Sequence, residues 1–260
     1  MLSLVYGTWH NSRRRGYARG VSDYDDLDSA RSRNFLLAAL PDEEWERMRP
    51  LVELVPAEVK DVVYRAKETI PHVDFPATAV LSMISEVDGE TAVEVATIGR
   101  EGMGGLPVFL GVSESPNTVL VQVPGTLLRM PAPRLREFLL GDGGLHAQLH
   151  RYVQATIVQL SQNVACNRIH TTEERAARWL LMTADRVDNS TFPLKQEFLA
   201  QMLGVRRATV SLTAGLLQSA GLISYRRGNI TIDDRAGLED VACDCYRAVR
   251  AEFERLRTAV

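Results

Sequence analysis

Three cysteines in 260 residues, Cys166, Cys243 and Cys245, are too few and too unevenly placed for a disulfide scaffold. They also fall short of the roughly four thiolates that an iron–sulfur cluster needs, and none lies near the N-terminus, so no such cluster is expected. No run approaches the ~18 apolar residues of a membrane span, which argues against any membrane partner. The start of the chain has no apolar core of the signal-peptide kind, because Leu2–Tyr6 is short and polar residues follow it. A cytoplasmic location is therefore expected. Catalytic signatures are missing as well: there is no nucleophile elbow, paired-carboxylate motif or P-loop. Neither enzyme activity nor a catalytic residue is expected. What remains is ordinary for a globular protein, 45% hydrophobic and 24% charged.

The net charge of −3 conceals an uneven distribution. Residues 1–20 carry four arginines and no acid, residues 51–130 hold 5 basic against 11 acidic side chains, and residues 193–230 hold 5 basic against one acidic. A basic block inside a mildly acidic chain fits a nucleic-acid reader attached to another domain. Residues 1–33, with Arg13–Arg15, read as a disordered tail. Residues 34–54 read as short helices on Phe35, Leu36, Leu40, Trp45, Met48 and Leu51, with Pro41 opening a new helix.

From residue 57 to 130 the helical period fades. Short β-like runs appear at Val59–Tyr64, Val80–Glu86, Ala92–Ile98, Val119–Val123 and Thr126–Met130, separated by turn residues. Strands of this length and spacing predict a barrel or jelly roll. Helix returns over 131–167, where Leu149, Val153, Ile157, Leu160 and Val164 form an apolar stripe. The stripe either packs on its own barrel or pairs with its twin in a homodimer. Thr171-x-x-Glu174 is a capping box for the next helix, whose inner face carries Ala176, Trp179, Leu180 and Thr183.

The segment Leu194–Gly221 is the most informative. A helix over about 194–203 buries Leu199 and Leu203, Gly204 supplies a left-handed turn, Val205 plugs it, and a second helix over about 207–219 buries Val210, Leu216 and Leu217. Arg206, Arg207, Thr209 and Ser211 sit where the second helix of a helix-turn-helix meets base edges in the major groove. Arginine can donate two hydrogen bonds to guanine, and threonine or serine can bond bases or phosphates. Two short strands follow, joined at Arg226–Arg227–Gly228–Asn229. This is a wing whose arginines, with Lys195 and Gln196, would hold double-stranded DNA by its backbone.

The order of elements resembles the Crp/Fnr family. Leu194-x-x-Glu197-x-Leu199-Ala200-x-x-Leu203-Gly204-Val205 is similar to that family's first helix and turn, and Arg207-x-Thr209-Val210 to the start of its recognition helix. Ile98-Gly99-Arg100-Glu101-Gly102-Met103-Gly104-Gly105-Leu106-Pro107 resembles the Gly-rich segment of one branch. The resemblance implies an α+β chain. It would have a cyclic-nucleotide-binding-like barrel over 34–140, a dimerisation helix over 141–168, a winged helix over 169–245 and a C-terminal helix or tail over 246–260. It implies a homodimeric transcription regulator reading a near-palindromic operator, and leaves RNA polymerase open as a partner. Where the family carries an acid and a second arginine in the recognition helix, this chain has Ala208 and Leu212, so a different preferred DNA sequence is expected.

The effector is unknown. Gly102, Gly104, Gly105, Asn117 and Thr118 mark the pocket that the resemblance implies, yet no Lys or Arg lies between Arg100 and Arg129, so cAMP in the usual mode is not expected. The glycines read more simply as tight turns. His146-x-x-x-His150 lacks a third ligand, and Cys243-x-Cys245 on one helix would point to different faces, so no metal site is expected. The competing readings are a ligand-binding or protein-interaction module without DNA binding, and an enzyme built on the barrel.

Overall fold

The structure, a computed structural model, describes residues 27–87, 91–141 and 143–258. It opens on three short helices, α1 (Leu27–Arg33), α2 (Phe35–Ala38) and α3 (Asp42–Met48). Residues 27–33 are thus ordered helix rather than part of the expected tail. Their order comes from tertiary contacts, not from an apolar stripe. Trp45 Nε1 donates to Asp28 at 2.7 Å, while Arg31 donates to the Leu40 carbonyl at 2.6 Å and stacks on the Trp45 ring. Arg13–Arg15 lie outside the described residues.

Among the described residues, seven strands build the N-terminal half: β1 (Glu53–Ala57), β2 (Val62–Tyr64), β3 (His72–Pro76), β4 (Val80–Val87), β5 (Thr91–Ile98), β6 (Thr118–Val123) and β7 (Gly125–Pro131). They form two antiparallel sheets, ordered β1-β7-β3 and β2-β6-β4-β5. Phe75, Leu81, Val119, Val121, Leu128 and Met130 fill the space between. The chain crosses between sheets at Pro124–Gly125. A Cβ on Gly125 would come within 2.5 Å of the Ala79 nitrogen, so only glycine allows this approach. The sequence pattern missed β1 and β3. Both contain proline, and both flank β7 as edge strands, where a missing N–H is tolerated. Short helices α4 (Leu106–Phe109) and α5 (Ala132–Phe138) complete this half.

Helix α6 (Gly144–Ile169) is 26 residues long, about 39 Å. The Glu44 carboxylate accepts from the Gly144 and Leu145 nitrogens at 2.7 and 3.1 Å, satisfying free donors at its positive end. Leu145, Leu149, Tyr152, Ala155, Gln159 and Cys166 face inward. This divides the expected interface stripe. Leu149 is fully buried in its own core and Val153 packs against that core, whereas Ile157 and Val164 are 52% and 73% exposed. The cause is geometric: each four-residue step advances about 40° around a helix, so Leu149 and Ile157 stand roughly 80° apart. Ile169 is exposed as well, but stands about 140° around the helix from Val164.

The capping box at Thr171 and Glu174 starts α7 (Thr172–Val187), with both reciprocal bonds present. There follow β8 (Thr191–Pro193), α8 (Gln196–Leu203), α9 (Arg207–Ser219), β9 (Ile223–Arg226), β10 (Asn229–Ile232), α10 (Arg235–Val241) and α11 (Cys245–Thr258). Helix α11 folds back on α6 and α7, burying Tyr246, Val249, Phe253 and Leu256. Among the described residues no helix is long and apolar enough to cross a membrane.

Helix α7 is buried from Ala176 to Ala184 because the barrel covers one side and the C-terminal unit the other. Polar groups span that junction. Trp179 Nε1 and Ser82 Oγ donate to the two oxygens of Glu94 at 2.8 and 2.5 Å, and Gln122 donates to Thr183 at 3.2 Å. Part of the Glu94 residue meets solvent, but its enclosed carboxyl is pushed up to about 7 by desolvation, against the pull of those donors and of Arg186 and Arg178. The folded chain thus holds this proton more tightly than the unfolded chain, whose carboxyl keeps the ordinary value of 4.5. Its contribution to stability is complete below about 4.5 and is lost as pH rises through about 7. Urea midpoints across this range should therefore fall less steeply for Glu94→Gln than for the native chain. Superimposable pH profiles would refute that role.

Candidate nucleic-acid interface

Helices α8 and α9 meet at Gly204, which adopts φ 64°, the left-handed conformation that glycine takes without a Cβ clash. The Val205 nitrogen donates to the Ala200 carbonyl at 3.0 Å, and Val205 packs on the core. Leu199, Met202, Leu203, Val210, Ala214 and Leu217 form the inner face. Leu216, expected inside, is 51% exposed, because a face centred on Val210, Ala214 and Leu217 leaves position 216 about 120° away.

Arg206, Arg207, Thr209 and Ser211, at the cap and over the first turns of α9, are all exposed, as is Leu212 at 68% exposure. Arg206 is the N-cap residue and makes no side-chain capping bond, so the helix presents its positive end and two guanidinium groups in one place. Ser211 donates to Gln196 Oε1 at 2.7 Å, which draws Gln196 of α8 onto the same surface; Lys195 is exposed just before it.

The wing is a two-residue hairpin. Arg226 pairs with Asn229, and the tip residues Arg227 and Gly228 both have positive φ, 51° and 85°, the pattern of a type I′ turn. The Leu194 nitrogen donates to the Gly228 carbonyl at 3.0 Å, tying the tip to the approach of α8. Strand β8 adds a third strand to the wing, pairing Phe192 with Ile230. The sequence reading missed it because it is three residues long and ends in proline. Among the described residues, Lys195, Arg206, Arg207, Arg226 and Arg227 form no ion pair with a carboxylate, so their charge is available to an anionic partner.

Most of the marked effector residues make close contacts within the barrel. A Cβ on Gly102 would meet the Tyr152 ring at 2.3 Å, and Gly104 exchanges backbone hydrogen bonds with Asp74 at 2.7 and 3.1 Å. Asn117 donates to Met83 Sδ at 3.6 Å, and Thr118 Oγ1 accepts from the Ala66 nitrogen. Arg129 is engaged with the buried Asp74 at 2.7 Å, whose carboxyl burial pushes up despite that arginine. A cavity of about 410 Å³ lies between α2, α7 and α11, lined by Phe35, Arg100, Arg186, Tyr246, Arg250 and Arg257 among others. His146 and His150 stack edge-on with Phe109.

Residues 174–241 match the model of the Crp-like helix-turn-helix domain. No relative among curated proteins matches the sequence. Among solved structures, a Crp/Fnr-family transcriptional regulator from Eubacterium rectale superimposes with a TM-score of 0.61 at 14% identity, over 79% of this chain and 96% of that one. FixK2 from Bradyrhizobium japonicum gives 0.63 at 14% identity, over 74% and 98%. A CRP-family transcriptional regulator from Thermus thermophilus gives 0.61 at 15%, over 73% and 96%. The chain therefore carries a Crp-like helix-turn-helix domain, set in the fold of the Crp/Fnr transcription regulators.

Proposed function

We propose that the protein is a transcription regulator that binds double-stranded DNA as a homodimer through the wing and the start of α9. The observation that carries this reading is the exposure of Arg206, Arg207, Thr209 and Ser211 over the first turns of α9, together with exposed wing arginines that, among the described residues, form no ion pair with a carboxylate. Arg206 and Arg207 read bases, Lys195 and the wing hold phosphates, and Leu212 offers an apolar contact to a thymine methyl. The exposed Ile157 and Val164, with the half-buried Leu160, are the dimer seam. Two such readers on a two-fold axis require half-sites about 34–36 Å apart on a near-palindrome.

The test is selection of binding sites from random duplexes, followed by affinity titrations over a range of salt. A recovered palindrome, with binding that weakens as salt rises, is expected. No salt-dependent binding to any duplex, with or without cell extract as effector source, would favour a protein-interaction module instead. Arg207→Ala should cost about 1–3 kcal/mol on the selected site and relax preference at one base pair per half-site. Full retention of site preference would remove Arg207 from base reading.

A further inference from the structure

All three cysteines of the sequence converge on one point, together with a histidine. Cys166 and His170 stand one turn apart at the C-terminal end of α6, on the same helix face. Cys243 lies in the link after α10, and Cys245 opens α11. The two are therefore not on one helix, and the expectation that they point apart fails for that reason. The Sγ atoms of Cys166 and Cys243 are 3.5 Å apart, Cys245 Sγ is 3.7 Å from His170 Nδ1, and the four donor atoms all lie within 4.8 Å of one another. The cysteines are buried and His170 is half-buried.

Apolar packing accounts for a buried cysteine, but it gives no reason for three to meet an imidazole. A disulfide would use two of them and leave the third thiol and the ring unexplained. A single tetrahedral ion uses all four. With metal–sulfur bonds of about 2.3 Å and a metal–nitrogen bond of about 2.0–2.1 Å, neighbouring donors stand roughly 3.5–3.8 Å apart, and the two measured separations fall in that range. An iron–sulfur cubane would spread its thiolates over four separate irons, farther apart than a single ion does. Charge supports the same conclusion. Three thiolates, a neutral imidazole and a divalent ion sum to −1. The buried guanidinium of Arg178 acts on Cys166, and Arg175 acts on Cys166 and Cys243. Among the described residues, Arg178 Nε is buried without a hydrogen-bond partner and neither arginine forms an ion pair with a carboxylate.

We propose that Cys166, His170, Cys243 and Cys245 form a Cys₃His site for one zinc ion, which ties the start of α11 to the end of α6 beside the hinge into α7. Four protein ligands close the coordination sphere, so the site is structural, with no position for a substrate. The inference does not depend on DNA binding, and its test reads metal alone.

The full chain, expressed with zinc in the medium and purified under reducing conditions, should contain about one zinc per chain by elemental analysis. Titrating its thiols with a mercurial should release that zinc in step with the three cysteines. Cobalt(II) in its place should give the intense visible bands of a tetrahedral thiolate site. Cys243→Ser and His170→Asn should each weaken zinc by more than the roughly 10–100-fold that loss of an outer hydrogen-bond partner costs. The mercurial titration needs no variant, so a variant that fails to fold does not spoil the test. Three freely titrating thiols with neither zinc nor a cobalt spectrum would overturn the proposal. So would a Cys166–Cys243 disulfide in protein from reduced cells, or iron or copper in place of zinc.

Discussion

Arg186→Met should lower the unfolding free energy of the chain by about 3–5 kcal/mol, the cost of stripping one partner from a buried ion pair. Arg186 and Glu101 are 5% and 4% exposed and meet at 2.8 Å. Glu101 also accepts from the Gly99 nitrogen at 3.0 Å, so it is fixed in place and cannot swing to water. Arg186 donates to the Met182 carbonyl at 2.9 Å, reaches Thr97 and Gln159 at 3.4 Å, and lies over the Phe253 ring. One side chain thus joins the barrel, α6, α7 and α11. Methionine keeps the methylene bulk and leaves Glu101 buried without its cation. Adding Glu101→Gln should recover most of the loss, because a neutral pair of similar volume carries no desolvated charge. Urea denaturation of the single and double variants decides the matter. A single-variant loss below about 1 kcal/mol, the level of an exposed pair, would mean that water reaches this site.

The other large effect belongs to the wing. Arg226→Glu with Arg227→Glu reverses four charges in a dimer while leaving the exposed hairpin its backbone register. With one phosphate contact per arginine, the slope of log affinity against log salt should become shallower by roughly 3–4 units. Affinity near physiological salt should then fall about a thousandfold. Titrations at several salt concentrations measure both. An unchanged slope would place the phosphates elsewhere, and Lys195 with Arg206 would carry the backbone contacts instead.

The reader was legible in the sequence because its signals are local. A helical period, a glycine at the turn and an Arg-Arg-Gly-Asn hairpin lie within 40 residues, and each is fixed by short-range sterics. The barrel was legible only in its unbroken strands; Pro56 and Pro76 concealed β1 and β3. Helix α1 was hidden because its order depends on the contacts of Asp28 with Trp45 and of Arg31 with Leu40 rather than on an apolar pattern. The stripe on α6 was visible, but its division between core and surface is set by which neighbours cover it. The cysteine–histidine cluster was least visible. Cys166-x-x-x-His170 and Cys243-x-Cys245 are each half a site, and only the return of α11 onto α6 brings them together.

Arg227 at the wing tip sits in left-handed backbone space, at φ 51°. Asparagine or glycine takes that position in a type I′ turn at little cost, whereas a long L side chain there is strained by about 1 kcal/mol or more. The chain carries this strain with the guanidinium in solvent, where it repays nothing to folding. The wing tip is therefore a place where stability and function compete: a substitution that makes the hairpin more robust, such as Arg227→Asn, also removes the charge for which the strain is held.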